Sequence, residues 1–346
     1  VLERAMPYLC THWANPHATH RLARRPAAAV EEAREEVAAW AGVRARDVIF
    51  TSGATESNHL AIRGVQREDR PRLLVSAVEH PSLAVPAADL NAQVLAVDSN
   101  GVLDLAALEA ALAEDVGLVC VMAANNETGV VQPLAEVHAL CRAVGAWLHV
   151  DAAQVAGRFA VPPHWDLLTL SSHKAGGLKG AGALVFRQGI AVVPQMVGGS
   201  QERGRRAGTV DVPAVVGLAE VLHHPWPAAD LRGWRDSLAE LAEAAGCTVT
   251  AGQADRLPNT LHLCLDGIAG ETLAMSLDLE GVCASTGSAC ASGAAEPSVV
   301  MAAMGRDPRS GLRLSLGWST TGEEVERAGQ ILQQVVERCL NMEAVG

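Results

Sequence analysis

Apolar positions along this chain alternate between helical and strand spacing. Over 27–41, Val30, Ala33, Val37 and Trp40 share one helical face, and Gly42 follows as a stop. The run 47–51 (DVIFT) reads as a strand that turns through SGATES into a helix ending near 67. The order then repeats: strand 72–77, helix 82–90, strand 93–97, helix 104–114, strand 117–123, helix 133–144, strand 146–151 and a buried strand at 167–170. Such alternation predicts an α/β fold, a mostly parallel sheet flanked by helices. Ligands of these sheets collect at the carboxyl ends of the strands. Two prolines in HHPWPAA (223–229) mark a boundary. Beyond it come a helix at 230–245, strands near 247–250 and 260–265, a helix at 270–280, a short helix at 297–304, a strand at 312–316 and a last helix at 322–342. The expected division is a large domain over 1–224 and a smaller α+β domain over 225–346.

Composition narrows the function classes. The chain has 346 residues, 49% of them apolar and 19% charged, enough for a sizeable core. A net charge of -12 argues against nucleic acid as a direct partner. No apolar run reaches the roughly 18 residues of a membrane span, and no signal peptide opens the chain, so the expected compartment is the cytoplasm. The chain starts at Val1 inside a helical pattern (LERAMPYL), which predicts a natural N-terminus further upstream. None of the eight cysteines forms a CxxC pair, and no metal site is expected. Cys120, Cys141, Cys264 and Cys339 stand in apolar surroundings and read as core thiols.

The candidate chemistry lies just after the strands. Of 27 basic residues only Lys174 and Lys179 are lysines. Arginine cannot replace an amine that must lose its proton and condense with a carbonyl. Lys174 follows an apolar strand and precedes a glycine-rich turn (Gly176, Gly177, Gly180, Gly182), as either a Schiff-base lysine or a surface lysine would. Thr55, in SGAT, stands where a helix N-terminus either binds an anion or is simply capped. His80, fixed by Pro81, could stack on a flat cofactor or be an ordinary satisfied histidine. In AANNETG (123–129) the asparagines either make the turn or face a ligand. Asp151 ends a buried strand, where a carboxylate needs a cation or a capping role, and Gln154 lies three residues on. Together these describe a pyridoxal phosphate site, in which the cofactor is an electron sink that the protein orients.

The segments TSGATESNHLAI, SAVEHPS, NNETGVVQP, HVDAAQVAGR, SSHK, GGSQERGRRAGT, STGSACASGAAEPS and LRLSLG together resemble the cysteine desulfurases. These belong to the class V aminotransferase branch of fold-type I pyridoxal phosphate enzymes. The resemblance runs from ANPHATH (14–20) to the last helix. It implies that L-cysteine yields L-alanine while its sulfur passes to Cys290 as a persulfide, for delivery to an acceptor protein. It implies a homodimer with the active site near the subunit interface. By the same resemblance Lys174 would hold the cofactor, His80 would stack on its ring, Asp151 would pair with the ring nitrogen and Gln154 would touch the phenolic oxygen. Thr55, Ser171 and His173 would hold the phosphate, joined by Thr209 of the other subunit. Asn126 and Arg313 would hold the substrate carboxylate, a task that suits a planar guanidinium.

Cys290 sits among small residues, 285–295, which predicts a mobile loop that can reach the cofactor and then an acceptor. His80 is a candidate base for its thiol. The chain departs from the family at three points: the usual N-terminal Leu-Asp-x-x-Ala-Thr stretch is absent, Gly176 and Leu178 alter the turn after the lysine, and Trp318 stands where Arg or a smaller residue is frequent. Two other readings remain, a selenocysteine lyase or other β-eliminating or transaminating enzyme, and a non-catalytic scaffold. The loop cysteine favours a desulfurase over the first, and intact Lys174, Asp151, His80 and Cys290 oppose the second. The acceptor is open between iron–sulfur cluster assembly, transfer RNA thiolation and DNA sulfur modification.

Overall fold

Strands and helices alternate in the computed structural model, which describes residues 1–65, 67–287 and 296–343. The chain divides into two units. The first comprises Val1–Leu95, Leu105–Ala123 and Pro133–Pro225; the second gathers Ala96–Asp104, Ala124–Gln132 and Trp226–Gly346.

The first unit runs α1 (Leu2–Cys10), α2 (Arg24–Ala41), β1 (Val48–Thr51), α3 (Ala54–Gly64), β2 (Arg72–Ser76), α4 (Pro81–Asp89), β3 (Gln93–Leu95), α5 (Leu105–Ala111), β4 (Val116–Cys120), α6 (Leu134–Val144), β5 (Trp147–Asp151), β6 (Leu167–Ser171), β7 (Gly182–Phe186) and α7 (Val212–Val221). Its seven strands form one sheet in the order β1-β7-β6-β5-β4-β2-β3. β2 through β6 pair in parallel, whereas β7 is antiparallel to both β6 and β1. The sheet is therefore mostly parallel, as the alternation predicts. β4, β6 and β7 are buried along their whole length, which matches their unbroken apolar runs. Helix α2 turns Val30, Ala33 and Val37 inward, and Gly42 ends it with a left-handed φ of 68°. One core cluster joins Ile49, Leu60, Ile62, Leu83, Leu118, Leu167 and Leu184.

The sequence pattern predicts neither β7 nor α7. Gly182, read above as part of the turn after Lys174, is instead the first residue of β7. Five residues, GALVF, fall between glycines and a loop, and a run this short carries too little periodicity to separate strand from turn.

In the second unit α8 (Ala228–Ala244), β8 (Thr248–Val249), β9 (Thr260–Cys264), α9 (Gly270–Leu279), α10 (Val299–Ala303), β10 (Gly311–Ser315) and α11 (Gly322–Glu343) surround an antiparallel three-stranded sheet ordered β10-β9-β8. Leu261, Leu263, Leu273, Leu277, Leu312, Leu332 and Val335 form its core. Cys120, Cys141, Cys264 and Cys339 are buried, as expected of core thiols. No described helix is long and apolar enough to cross a membrane.

Candidate active site

The reversal of β7 levels two turns. Because β7 is antiparallel to both neighbours, β1 and β6 run the same way and end at one edge of the sheet. Gly182 pairs with Thr51, the last residue of β1, and with Ser171, the last of β6. A Cβ at Gly182 would lie 2.6 Å from the Gly53 carbonyl carbon and 2.6 Å from the Leu170 oxygen. Only glycine permits this approach, which sets the Thr55 turn beside the Lys174 turn. The carboxyl ends of β5 and β2 follow along the same edge, with Asp151 and His80.

The Thr55 turn is an uncapped helix start. Its N-cap is Gly53, with no side-chain cap, so the first-turn N–H groups of α3 have no intrahelical acceptor. Thr55 is exposed in that turn and is not the cap. The Glu56 carboxylate accepts the Ser52 N–H at 2.7 Å and the Arg206 Nε–H at 2.7 Å, tying the loop before α7 to this helix. Ser171 Oγ lies 3.2 Å from His173 Nδ1. Burial, reinforced by Lys174, Arg158 and Lys179, lowers the pKa of His173 and favours a neutral ring. Thr209 is exposed on the loop that Gln201 braces by accepting the Gly208 N–H.

Asp151 is 6% exposed at the end of β5. Its Oδ2 accepts the Asn58 Nδ2–H at 2.7 Å and its Oδ1 the Ala153 N–H at 2.9 Å. Burial still pushes its pKa above the ordinary value, although both bonds and the charges of His80 and Lys174 oppose the shift. Those charges do not offset burial, and a protonated ring nitrogen would supply the further cation that keeps the carboxylate ionised. Asn58 also donates to Ser82 Oγ at 2.9 Å, and Ser82 lies 2.9 Å through Oγ from His80 Nδ1. His80 caps α4, with Nδ1 accepting the Ser82 backbone N–H at 3.1 Å. The neutral ring, which burial favours, thus carries its proton on Nε2. Base action at Nε2 requires that proton to move to Nδ1 and the Ser82 bond to break.

Lys174 lies in a tight 3-10 turn, His173–Ala175, directly after β6 and Ser172. Its charge reaches both Asp151 and His80. Gln154 Oε1 accepts Arg158 Nη1–H at 3.0 Å, which leaves the amide hydrogens free to face a phenolic oxygen. An anion-seeking helix start, a cation-seeking carboxylate, an amine and an amide donor thus line one strand edge. The residues present fit pyridoxal phosphate.

The second unit holds the other group of candidates. Asn125 makes the turn: its Oδ1 accepts the N–H groups of Glu127 and Thr128, both at 2.9 Å. Asn126 meets Arg313 through its backbone, the carbonyl accepting Nη1–H at 2.6 Å. Arg313 Nε is buried and has no hydrogen-bond partner among the described residues. Glu127 is buried, its pKa raised by desolvation, and accepts the Ser298 hydroxyl. Ser285 pairs with Arg313 across an antiparallel bridge. Arg313 and Glu127 therefore anchor Ser285 and Ser298, on either side of the segment that carries Cys290. Cys290 itself lies outside the described residues.

Asn58 and Arg158 belong to these networks, and buried Glu79, which accepts the Met122 N–H, lies near enough to Asp151 for their charges to interact, but none of the three stands out in the sequence. Ser57 and Asn58 are fully buried on α3, which the fold reveals and the local sequence does not.

The class-V aminotransferase family model matches residues 1–328. A cysteine desulfurase of Nostoc sp. is 38% identical over 358 aligned residues, covering 98% of this chain and 90% of that protein. The solved structure of a NifS-like protein superposes with a TM-score of 0.88 at 31% identity, covering 97% of this chain and 95% of that one. SspA, solved in complex with cysteine, gives a TM-score of 0.81 at 28% identity, covering 92% and 95%. The chain belongs to the class-V aminotransferase family, among the cysteine desulfurases.

Proposed function

We propose that this protein is a pyridoxal phosphate-dependent cysteine desulfurase. It converts L-cysteine and the thiol of Cys290 into L-alanine and a Cys290 persulfide. The C–S bond of the substrate breaks, an S–S bond forms on the enzyme, and no outside oxidant is needed. The persulfide sulfur then passes to an acceptor protein. The observation that carries this reading is the buried Asp151 at the end of β5, held by Asn58 and within reach of the Lys174 charge.

The bound cofactor supplies an electron sink for charge that develops on the substrate carbon. Asp151 would pair with a protonated ring nitrogen and keep that sink strong. Lys174 would carry the cofactor, its Nζ available to accept and return protons. His80 would face the ring as a neutral imidazole that donates at Nε2. Gln154 would donate to the phenolic oxygen, while Thr55, Ser171 and His173 would hold the phosphate. Arg313 grips the substrate carboxylate with its fork of donors, assisted by Asn126. The proposal extends to a homodimer in which Thr209 completes the partner's phosphate site.

A selenocysteine lyase or a plain β-eliminating enzyme would share the cofactor residues but would not need Cys290. The deciding experiment incubates protein reconstituted with pyridoxal phosphate with L-cysteine, without reductant. Alanine and one protein persulfide in equal amounts are expected. Free sulfide and pyruvate would overturn the desulfurase reading, and absence of a visible cofactor band would overturn the cofactor assignment.

A further inference from the structure

We propose that Arg158 is a positioning residue that orients the Gln154 amide and fixes the backbone from which Lys174 hangs. It rests on the cofactor reading above. Arg158 is 8% exposed at the end of the turn that follows β5. Its Nη1 donates to Gln154 Oε1 at 3.0 Å and its Nε donates to the Lys174 carbonyl at 2.5 Å. One rigid guanidinium thus joins the two segments that present the amide and the amine.

The neighbouring backbone leaves this clamp little slack. Gly157, at φ 76°, lies so close to the Lys174 turn that a Cβ there would be 2.8 Å from the Ala175 Cβ. Arg158 therefore bridges segments that already touch. An amide can present either its oxygen or its nitrogen, and the two choices differ in sign toward an anion. Arg158 donates only, so it claims the Gln154 oxygen and turns the NH2 group outward. The outward group can then stabilise a phenolate. With the amide reversed, an oxygen would face that phenolate and weaken it. A lysine at 158 would restore the charge but not the paired geometry, because an ammonium is a point charge and a guanidinium a fixed fork. Arg158 donates to the Gln154 amide oxygen and the Lys174 backbone carbonyl, and acts through those two residues.

The test compares wild type, Arg158→Met, Arg158→Lys, Gln154→Ala and the Arg158→Met/Gln154→Ala double variant, each reconstituted with pyridoxal phosphate. The readouts are the pH midpoint of the visible cofactor band and the dissociation constant for the cofactor. A nearby cation and a donor to the phenolic oxygen both disfavour a proton on the Lys174–cofactor link. Arg158→Met should therefore raise the midpoint by about half a unit or more and weaken cofactor binding roughly tenfold. Gln154→Ala should shift the midpoint the same way, and the double variant should add little to the larger single effect, as expected of residues acting in one network. Arg158→Lys should fall between wild type and Arg158→Met. If Arg158→Met does not fold, the Lys and Gln154→Ala variants still decide. Unchanged midpoints, fully additive shifts, or an Arg158→Lys protein identical to wild type would each overturn the orienting role. A wild-type protein that binds no cofactor would instead overturn the reading beneath it.

Discussion

The side chain of Asn58 donates to the carboxylate of Asp151 over 2.7 Å, both of them buried, although 93 residues separate them in the chain. The same amide donates to Ser82, which in turn supports His80. Helix α3 thus sets the position of the acid and helps set that of the imidazole. Hydrogen bonds to charged groups contribute about 1.5–3 kcal/mol. Asn58→Leu should weaken pyridoxal phosphate binding by roughly tenfold to a hundredfold. Asp151→Asn should leave the cofactor bound but slow proton abstraction by orders of magnitude. Cofactor titration and single-turnover kinetics check both, and near-normal turnover in Asp151→Asn would remove Asp151 from the site.

Lys174 and Lys179 are the only lysines, so covalent attachment of the cofactor has two candidates. Only Lys174 has a charge that reaches both Asp151 and His80. Borohydride reduction followed by peptide mapping should place the cofactor on Lys174, and Lys174→Ala should abolish attachment while preserving the fold. Label on Lys179 would refute the assignment.

Glu79 gives a pH dependence of stability. Burial, then the charge of Asp151, lifts its pKa to about 8 from an ordinary 4.5, against the hydrogen bond from the Met122 N–H. Between those values the folded, cofactor-free chain keeps a proton that the unfolded chain releases. Its stability therefore falls as pH rises across that window. Glu79→Gln should raise the melting temperature of the cofactor-free protein at pH 8 and have much less effect near pH 5. A difference that does not depend on pH would show that Glu79 is ionised in the fold.

Cysteine reactivity should separate the proposed sulfur carrier, Cys290, from the core thiols. Burial raises the Cys120 thiol well above its ordinary value and the Cys141 thiol to about 12. A thiol reagent should modify Cys290 ahead of Cys120, Cys141 and Cys264, while exposed Cys10 and Cys283 label independently of substrate. Cys290→Ser should keep the visible cofactor band and bind cysteine, yet form no persulfide and release almost no sulfide with a reductant present. Wild-type sulfide release by that variant would point to direct β-elimination.

Thr209 tests the assembly. It stands exposed on a loop tied to α3 through Arg206 and Glu56. Mixing Thr209→Ala chains with Lys174→Ala chains should give heterodimers whose two sites differ in cofactor affinity. Equal affinities, or a fully active monomer, would place Thr209 outside the phosphate site.

The strand ends were readable in chain order because their signals are local. An apolar run followed by Gly, Asn or Pro marks a strand and its turn within a few residues. Thr55, His80, Asp151 and Lys174 all stand directly after such runs, and the scarcity of lysine singled out Lys174. The alternation of strand and helix also predicted the mostly parallel sheet. Tertiary structure decided what depends on which elements meet. The antiparallel β7 is a short run among glycines, and only its pairing with both β1 and β6 makes Gly182 the point where two turns approach. Asn58, Glu79 and Arg158 look like ordinary polar residues in the sequence, because a polar side chain acquires its role from partners distant in the chain, 93 residues away for Asn58 and Asp151. Asn126 shows a further limit: its residue type suggested a side-chain amide facing the substrate, and folding in addition brings its backbone carbonyl to Arg313, an acceptor that every residue carries and no pattern of side chains reveals.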